Sequence, residues 1–371
     1  MDVFDLVVVF FIAFIISLVF IPVIIKVSQK NGLYDYVNER KIHKGKISRL
    51  GGLATFVGFM CSLIYLLVYD FKVQFNIPLF IAAVLLAFLT GFIDDIKKIS
   101  ARYKLLLQLA CGLLVAIAGL QINRITISPG FSIQFGVLSY VVTMLWVAGF
   151  MNAINMLDGM DGLASGIVMI ASLFLAIIGW LQGMVVVTFL AIALMGAIGG
   201  FFIFNYPPAK IFMGDGGAYF LGFMYAILPL IGIKKASTIT VFFVPLVLLL
   251  IPLIDMAHVI QNRFVGGYHI FLADRSHIHH RLLHIGFSNK GILWILFSYT
   301  AILGCFSIVL LYLKPHQSII VMILLFLLTI LAFFTISVAE RRIAQLEGIT
   351  NNKKSNKGLL KHGAKHKFSK A

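Results

Sequence analysis

The chain has 371 residues, of which 61% are hydrophobic and 12% charged; ordinary soluble domains carry about 25% charged residues, so a soluble multidomain protein is excluded. The net charge is +16, yet no segment is large and polar enough to present it to nucleic acid. Anionic membrane lipids and phosphate-bearing substrates are the partners such a charge suits.

Eleven apolar runs follow one another, near 4–26, 50–69, 76–93, 104–121, 137–154, 163–181, 185–204, 217–233, 238–260, 291–313 and 317–338. Each matches the roughly 20 residues that a helix needs to cross a hydrocarbon core. The first is read as a membrane helix rather than a signal peptide, because Asp2 and Asp5 replace a basic leader and no small-residue cleavage site follows. Placing the N-terminus outside leaves only Lys72, Arg124, Lys234, Lys235 and Lys314 on the outer face, out of 30 lysines and arginines. That asymmetry orients the chain with its C-terminus in the cytoplasm. The predicted fold is therefore all-α and polytopic, with a transmembrane catalytic domain over 1–340 and a basic, disordered cytoplasmic tail over 341–371. Pro245 and Pro252 predict a kink in the helix near 238–260, which also carries Asp255. Cys61, Cys111 and Cys305 lie in apolar runs without metal-ligand spacing and read as packing residues.

Acidic residues stand at the ends of these runs: Asp94 and Asp95, then Asn152-Ala-Ile-Asn155-Met-Leu-Asp158-Gly-Met-Asp161-Gly162, then Phe212-Met-Gly-Asp215-Gly-Gly. Carboxylates are costly near a bilayer and point to an ion, a proton path or a charged ligand. The basic residues alone set the orientation, and it puts all of these acids and the segment His277-Ile-His279-His280-Arg281 on the inner face. Asn155 and Asp215 offer hard oxygen donors of the kind that suit Mg²⁺, with Mn²⁺ as a substitute, in a site open to substrate phosphates. Bland readings stand beside these: Asp158 and Asp161 as helix caps, and Asp94 and Asp95 as partners of Lys97 or Lys98. The three histidines have no Cys partner for zinc, whereas imidazoles beside a guanidinium suit a diphosphate. His43 and Arg49 belong to a basic first loop, where Gly51 and Gly52 could bring backbone close to a phosphate.

The motifs Gly32-Leu-Tyr-Asp35, Arg40-Lys-Ile-His43, Arg49-Leu-Gly-Gly52, Gly91-Phe-Ile-Asp-Asp95, Lys104-Leu-Leu-Leu-Gln108, Asn152 to Gly162, Asn205-Tyr-Pro-Pro208, Phe212 to Gly217 and His277 to Leu282 occur in this order. In them the chain resembles the polyprenyl-phosphate N-acetylhexosamine-1-phosphate transferases. The run His279-His280-Arg281-Leu282 resembles the branch that moves N-acetylglucosamine-1-phosphate from UDP-GlcNAc to undecaprenyl phosphate. The alternatives are another UDP-N-acetylhexosamine donor, such as a 6-deoxy sugar or MurNAc-pentapeptide, or a transporter of a related anion. Departures from the family pattern are Val37 and Ser48 in place of Pro, and Lys98 in place of a third acid.

The resemblance implies Asn155 and Asp215 as Mg²⁺ ligands, and Lys104 and Arg281 as holders of phosphate oxygens. Gly159, Asp161, Asn205 and Phe212 would form the uridine pocket, with Gly159 leaving it room. His279 and His280 would contact the donor, and Asp158 would complete the polar network at the metal. Asp94 or Asp95 would position or deprotonate the lipid phosphate. A second pKa near ~6 already leaves a phosphomonoester largely dianionic at neutral pH, which favours positioning. A homodimer is compatible with the sequence, which does not fix the oligomeric state.

Overall fold

The computed structural model describes residues 2–34, 47–68, 73–128, 131–232, 238–265 and 277–367. Thirteen α-helices, one short 3-10 helix (Leu310–Tyr312) and one two-stranded antiparallel sheet are the regular elements among the described residues. Eight helices are long and apolar enough to cross a membrane: α1 (Val3–Lys30), α3 (Ile77–Ile96), α5 (Leu138–Leu157), α6 (Leu163–Leu181), α7 (Val185–Asn205), α8 (Gly214–Gly232), and the apolar parts of α12 (Asn289–Val309) and α13 (Pro315–Lys367). The chain is thus a multi-pass, all-α membrane protein.

The other three expected spans are shorter or broken. They are α2 (Gly51–Val68), α4 (Ala101–Ile117), and the run near 238–260, which the expected interruption divides into α9 (Thr238–Leu248) and α10 (Leu250–Val265). The break falls at Leu249, because Pro252 has no N–H to give the Leu248 carbonyl and its ring crowds that residue. One element went unforeseen. Arg124–Ser128 (β1) pairs antiparallel with Phe131–Gln134 (β2), in register Arg124 to Gln134, within the expected outer segment between the fourth and fifth spans. At the other end, α13 continues to Lys367, across the boundary at 340/341 where a disordered tail was expected to begin.

Helices pack here through small residues rather than through greasy stripes, since lipid and core are equally apolar. In α1 the buried positions Val9, Ala13, Ser17, Ile21, Ile24 and Ser28 recur every three or four residues, while Phe4, Val7, Phe11 and Ile15 stay exposed. Gly196 and Gly200 of α7 face this stripe: a Cβ on either would lie 2.4 Å from the carbonyl oxygen of Phe10 or Phe14. Helix α8 is the hub. It is the most buried span, and α3, α5 and α2 pack around it. A short helix, α11 (Ile278–Ile285), lies against α13 and α12.

Candidate active site

The contact between α3 and α8 builds the centre. Gly91 lets the helices meet backbone to backbone: a Cβ there would stand 2.1 Å from the carbonyl oxygen of Asp215. One turn further along α3, the Asp95 carboxylate accepts from the backbone N–H of Asp215 and of Gly216, both at 2.9 Å. It thereby caps the first turn of α8, whose N–H groups have no partner inside the helix. Asp94 accepts from the N–H of Ile99 at 2.8 Å, closing the turn into α4, and pairs with Lys104 Nζ at 2.5 Å. The same ammonium reaches Asp215 at 3.0 Å, and the Asn155 amide donates to the other Asp215 oxygen at 3.0 Å. Asp94, Lys104, Asn155 and Asp215, from four different helices, thus form one connected group. The partner of Asp94 is Lys104 rather than Lys97 or Lys98.

Beside this group opens a cavity of about 640 Å³, walled by Lys104, Asn155, Asp158, Gly159 and the imidazoles of His277, His279 and His280. Asp158 sits just past the end of α5, where burial holds its carboxyl well above the usual range. The charges of Asp215, Asp95 and Asp161 add to this, and the Arg49 guanidinium opposes it. His279 is 1% exposed, and neither ring nitrogen has a hydrogen-bond partner among the described residues. Burial, reinforced by His280 and His277, pushes its pKa down to about 3, so it is a neutral imidazole at pH 7.

Several of the expected site residues have partners within the protein. Gly159, on the cavity wall, makes room for His279, since a Cβ would stand 2.6 Å from that ring's Cε1 and Nε2. Asp161 and Asn205, at 5% and 2% exposure, lie outside the cavity wall and hold backbone. Asp161 accepts from Ala209 N–H, while Asn205 accepts from Gly162 N–H and Ser165 Oγ and donates to the Ile211 carbonyl. Gly162, at φ +75°, needs the left-handed region that this tie stabilises. Phe212 is also absent from the wall.

Nor are the Gly51 and Gly52 amides presented to a phosphate, because they donate to the carbonyls of Phe212 and Met213 at 2.9 and 2.8 Å. Arg49 does face the centre, its charge acting on Asp95 and Asp158. Arg281 turns away from the cavity. Buried to 3% exposure, it donates from Nε to Glu340 at 3.0 Å and from its guanidinium to the Phe333 carbonyl and Ser337 Oγ, all on α13. His43 lies outside the described residues.

The donor chemistry fits the expected cation. No group of three His, Cys, Asp or Glu is arranged to hold a metal among the described residues, but Mg²⁺ typically takes only one or two protein carboxylates and fills its other positions with water and phosphate. Asp215 and the Asn155 amide, already within hydrogen-bond distance, supply such oxygens once the amide turns its Oδ1 rather than its Nδ2 toward the carboxylate. Residues that the sequence reading passed over also line the cavity, among them Gln108, Asn152, Tyr219 and Arg263. Gln108 and Asn152 exchange two amide hydrogen bonds at 3.2 and 2.7 Å; both lie inside quoted motifs, which was the available signal.

A carboxylate and lysine centre thus stands on a helical membrane scaffold beside a histidine-walled cavity. Residues 77–233 match the family model for glycosyl transferase family 4. The chain is 31% identical over 350 residues to the probable undecaprenyl-phosphate N-acetylglucosaminyl 1-phosphate transferase of Bacillus subtilis, covering 94% of both chains. It is 28% identical over 272 residues to the undecaprenyl-phosphate alpha-N-acetylglucosaminyl 1-phosphate transferase of Escherichia coli K12, covering 71% of this chain and 73% of the relative. To the decaprenyl-phosphate N-acetylglucosaminephosphotransferase of Mycobacterium tuberculosis it is 26% identical over 319 residues, covering 79% of each. The chain belongs to glycosyl transferase family 4.

Proposed function

We propose that the protein transfers N-acetylglucosamine-1-phosphate from UDP-GlcNAc to undecaprenyl phosphate, forming undecaprenyl-diphospho-GlcNAc and UMP. The observation that carries this reading is the linked group of Asp94, Lys104, Asn155 and Asp215, of which Lys104 and Asn155 line one cavity together with Asp158 and the histidines. The names of the relatives favour the same donor and acceptor chemistry. The active site lies on the cytoplasmic side of a bacterial inner membrane, as the distribution of basic residues implies.

The reaction brings two anions together, so most of the rate comes from neutralising and aligning them. Mg²⁺, when bound by Asn155 and Asp215, supplies charge on the phosphate oxygens. Lys104 contributes a second positive charge, and Asp94 with Asp215 fixes where that ammonium stands. Asp94 therefore positions Lys104 rather than removing a proton from an acceptor that is already dianionic. His279, neutral and buried at the cavity wall, offers the donor a hydrogen-bonding nitrogen without adding charge.

The test is to incubate purified protein with undecaprenyl phosphate, Mg²⁺ and a panel of UDP-sugars and to measure UMP. UDP-GlcNAc should release UMP only when the lipid is present. Equal turnover of a 6-deoxy or muramoyl-peptide donor would reassign the sugar, and movement of a labelled donor across vesicles without UMP release would replace the enzyme with a transporter.

A further inference from the structure

The histidine wall of the cavity is held from behind by a residue the reaction has not used so far. Asp255, in α10, is 2% exposed. One of its oxygens lies 2.9 Å from His277 Nδ1, and the other accepts the N–H of Ile278 at 2.8 Å. A single carboxylate thus fixes an imidazole and caps the first turn of α11, where the side chain of His277, at the N-cap, makes no capping bond of its own. The consequences run along the wall. The His277 ring stacks nearly parallel on His279, with centroids 5.8 Å apart and an angle of 8°, and His279 contacts His280 at 4.3 Å. All three rings line the cavity, so the angle at which Asp255 holds the first sets the row.

A carboxylate accepts hydrogen bonds and does not donate them, so in the neutral ring it selects the tautomer with the proton on Nδ1 and leaves Nε2 as the acceptor. Burial makes the choice firm, because an unpaired carboxylate in this setting is costly. We propose that Asp255 is a positioning residue for the transferase reaction: it sets the tautomer and orientation of His277, and through it the alignment of the imidazole row against the donor diphosphate. This inference rests on the function proposed above.

The experiment compares UMP release from UDP-GlcNAc and undecaprenyl phosphate by the full-length wild type, Asp255→Asn, His277→Ala and the double variant, each first checked for a monodisperse, folded state. Asparagine keeps an oxygen for the Ile278 N–H but offers an N–H to His277, which inverts the tautomer. Loss of an orienting partner of this kind typically costs about 10- to 100-fold, and that fall is expected in kcat for Asp255→Asn, with KM for UDP-GlcNAc changed less than about threefold. The double variant should be no slower than His277→Ala, because Asp255 acts through that ring. Should Asp255→Asn not fold, His277→Ala must by itself show the same fall in kcat. Rates within twofold of wild type for the folded variants, or multiplicative losses in the double variant, overturn the positioning role while leaving the transferase reading intact. A folded wild type that releases no UMP overturns the transferase reading, and this inference with it.

Discussion

Lys104 is the residue on which the charge balance of the centre turns, because two carboxylates from different helices share its ammonium. Replacing it with Met leaves Asp94 and Asp215 facing each other unneutralised. Transferase activity should then fall by more than about a hundredfold, the scale of losing a preorganised electrostatic group, as measured by UMP release at saturating donor. Asp94→Asn should lower activity at every pH. If raising the pH restored most of it, Asp94 would be a base and not a positioning group.

His279 carries the clearest pH signature. Its pKa in the folded chain is about 3 against an ordinary value of 6.5, so between these values the unfolded chain binds more protons. Stability must rise with pH across that window and be lost on acidification, by ~2 kcal/mol at pH 5. Asp158 has the opposite sign: its raised pKa means that the folded chain binds more protons, so its contribution weakens as pH rises. The two effects separate by substitution. The melting temperature of His279→Asn should fall less than that of wild type between pH 7 and pH 5, and an equal fall would mean that His279 is already charged in the folded protein.

Elements meet at this site with their backbones nearly touching, which makes glycine a structural requirement. Gly91→Ala would drive a methyl group into the Asp215 carbonyl and part α3 from α8, breaking the cap that Asp95 gives to α8. Overpacking of this kind costs about 1–3 kcal/mol, so the variant should melt lower and lose most of its activity. An unchanged melting curve would mean that the helices separate freely. Gly51 and Gly52, read from sequence as bringing backbone to a phosphate, likewise serve close contact, with the chain at Phe212, Met213 and Gly217. The residue types are the same in both uses, and only the position of the neighbouring chain distinguishes them.

Across the whole molecule, Arg281 joins α11 to α13 through Glu340, Ser337 and the Phe333 carbonyl. If that is its work, Arg281→Ala and Glu340→Ala should lower the melting temperature together, with the double variant no worse than Arg281→Ala alone. Loss of activity in Arg281→Ala without loss of stability, and with Glu340→Ala unaffected, would return Arg281 to the substrate. A chain ended after Leu346 retains Glu340 and should keep full activity, whereas one ended after 332 removes all three partners and should not.

Composition and the run of apolar segments determined by themselves that this is a helical membrane protein, because a bilayer leaves a chain of this kind no other way to satisfy its backbone. Position at the end of an apolar run marked Asp94, Asp95, Asp158, Asp161 and Asp215, since charge there is costly, oxygen-donor chemistry added Asn155, and the family resemblance added Lys104. Which of the marked residues face the cavity was decided only by packing. Asp161, Asn205 and Arg281 have the same chemistry as the residues around the cavity, but packing ties their side chains to other parts of the protein, while the acid in the broken span, Asp255, is brought behind a histidine 22 residues away. Side-chain direction depends on how α8, α10, α11 and α13 lie against one another, and no local pattern in the sequence encodes that.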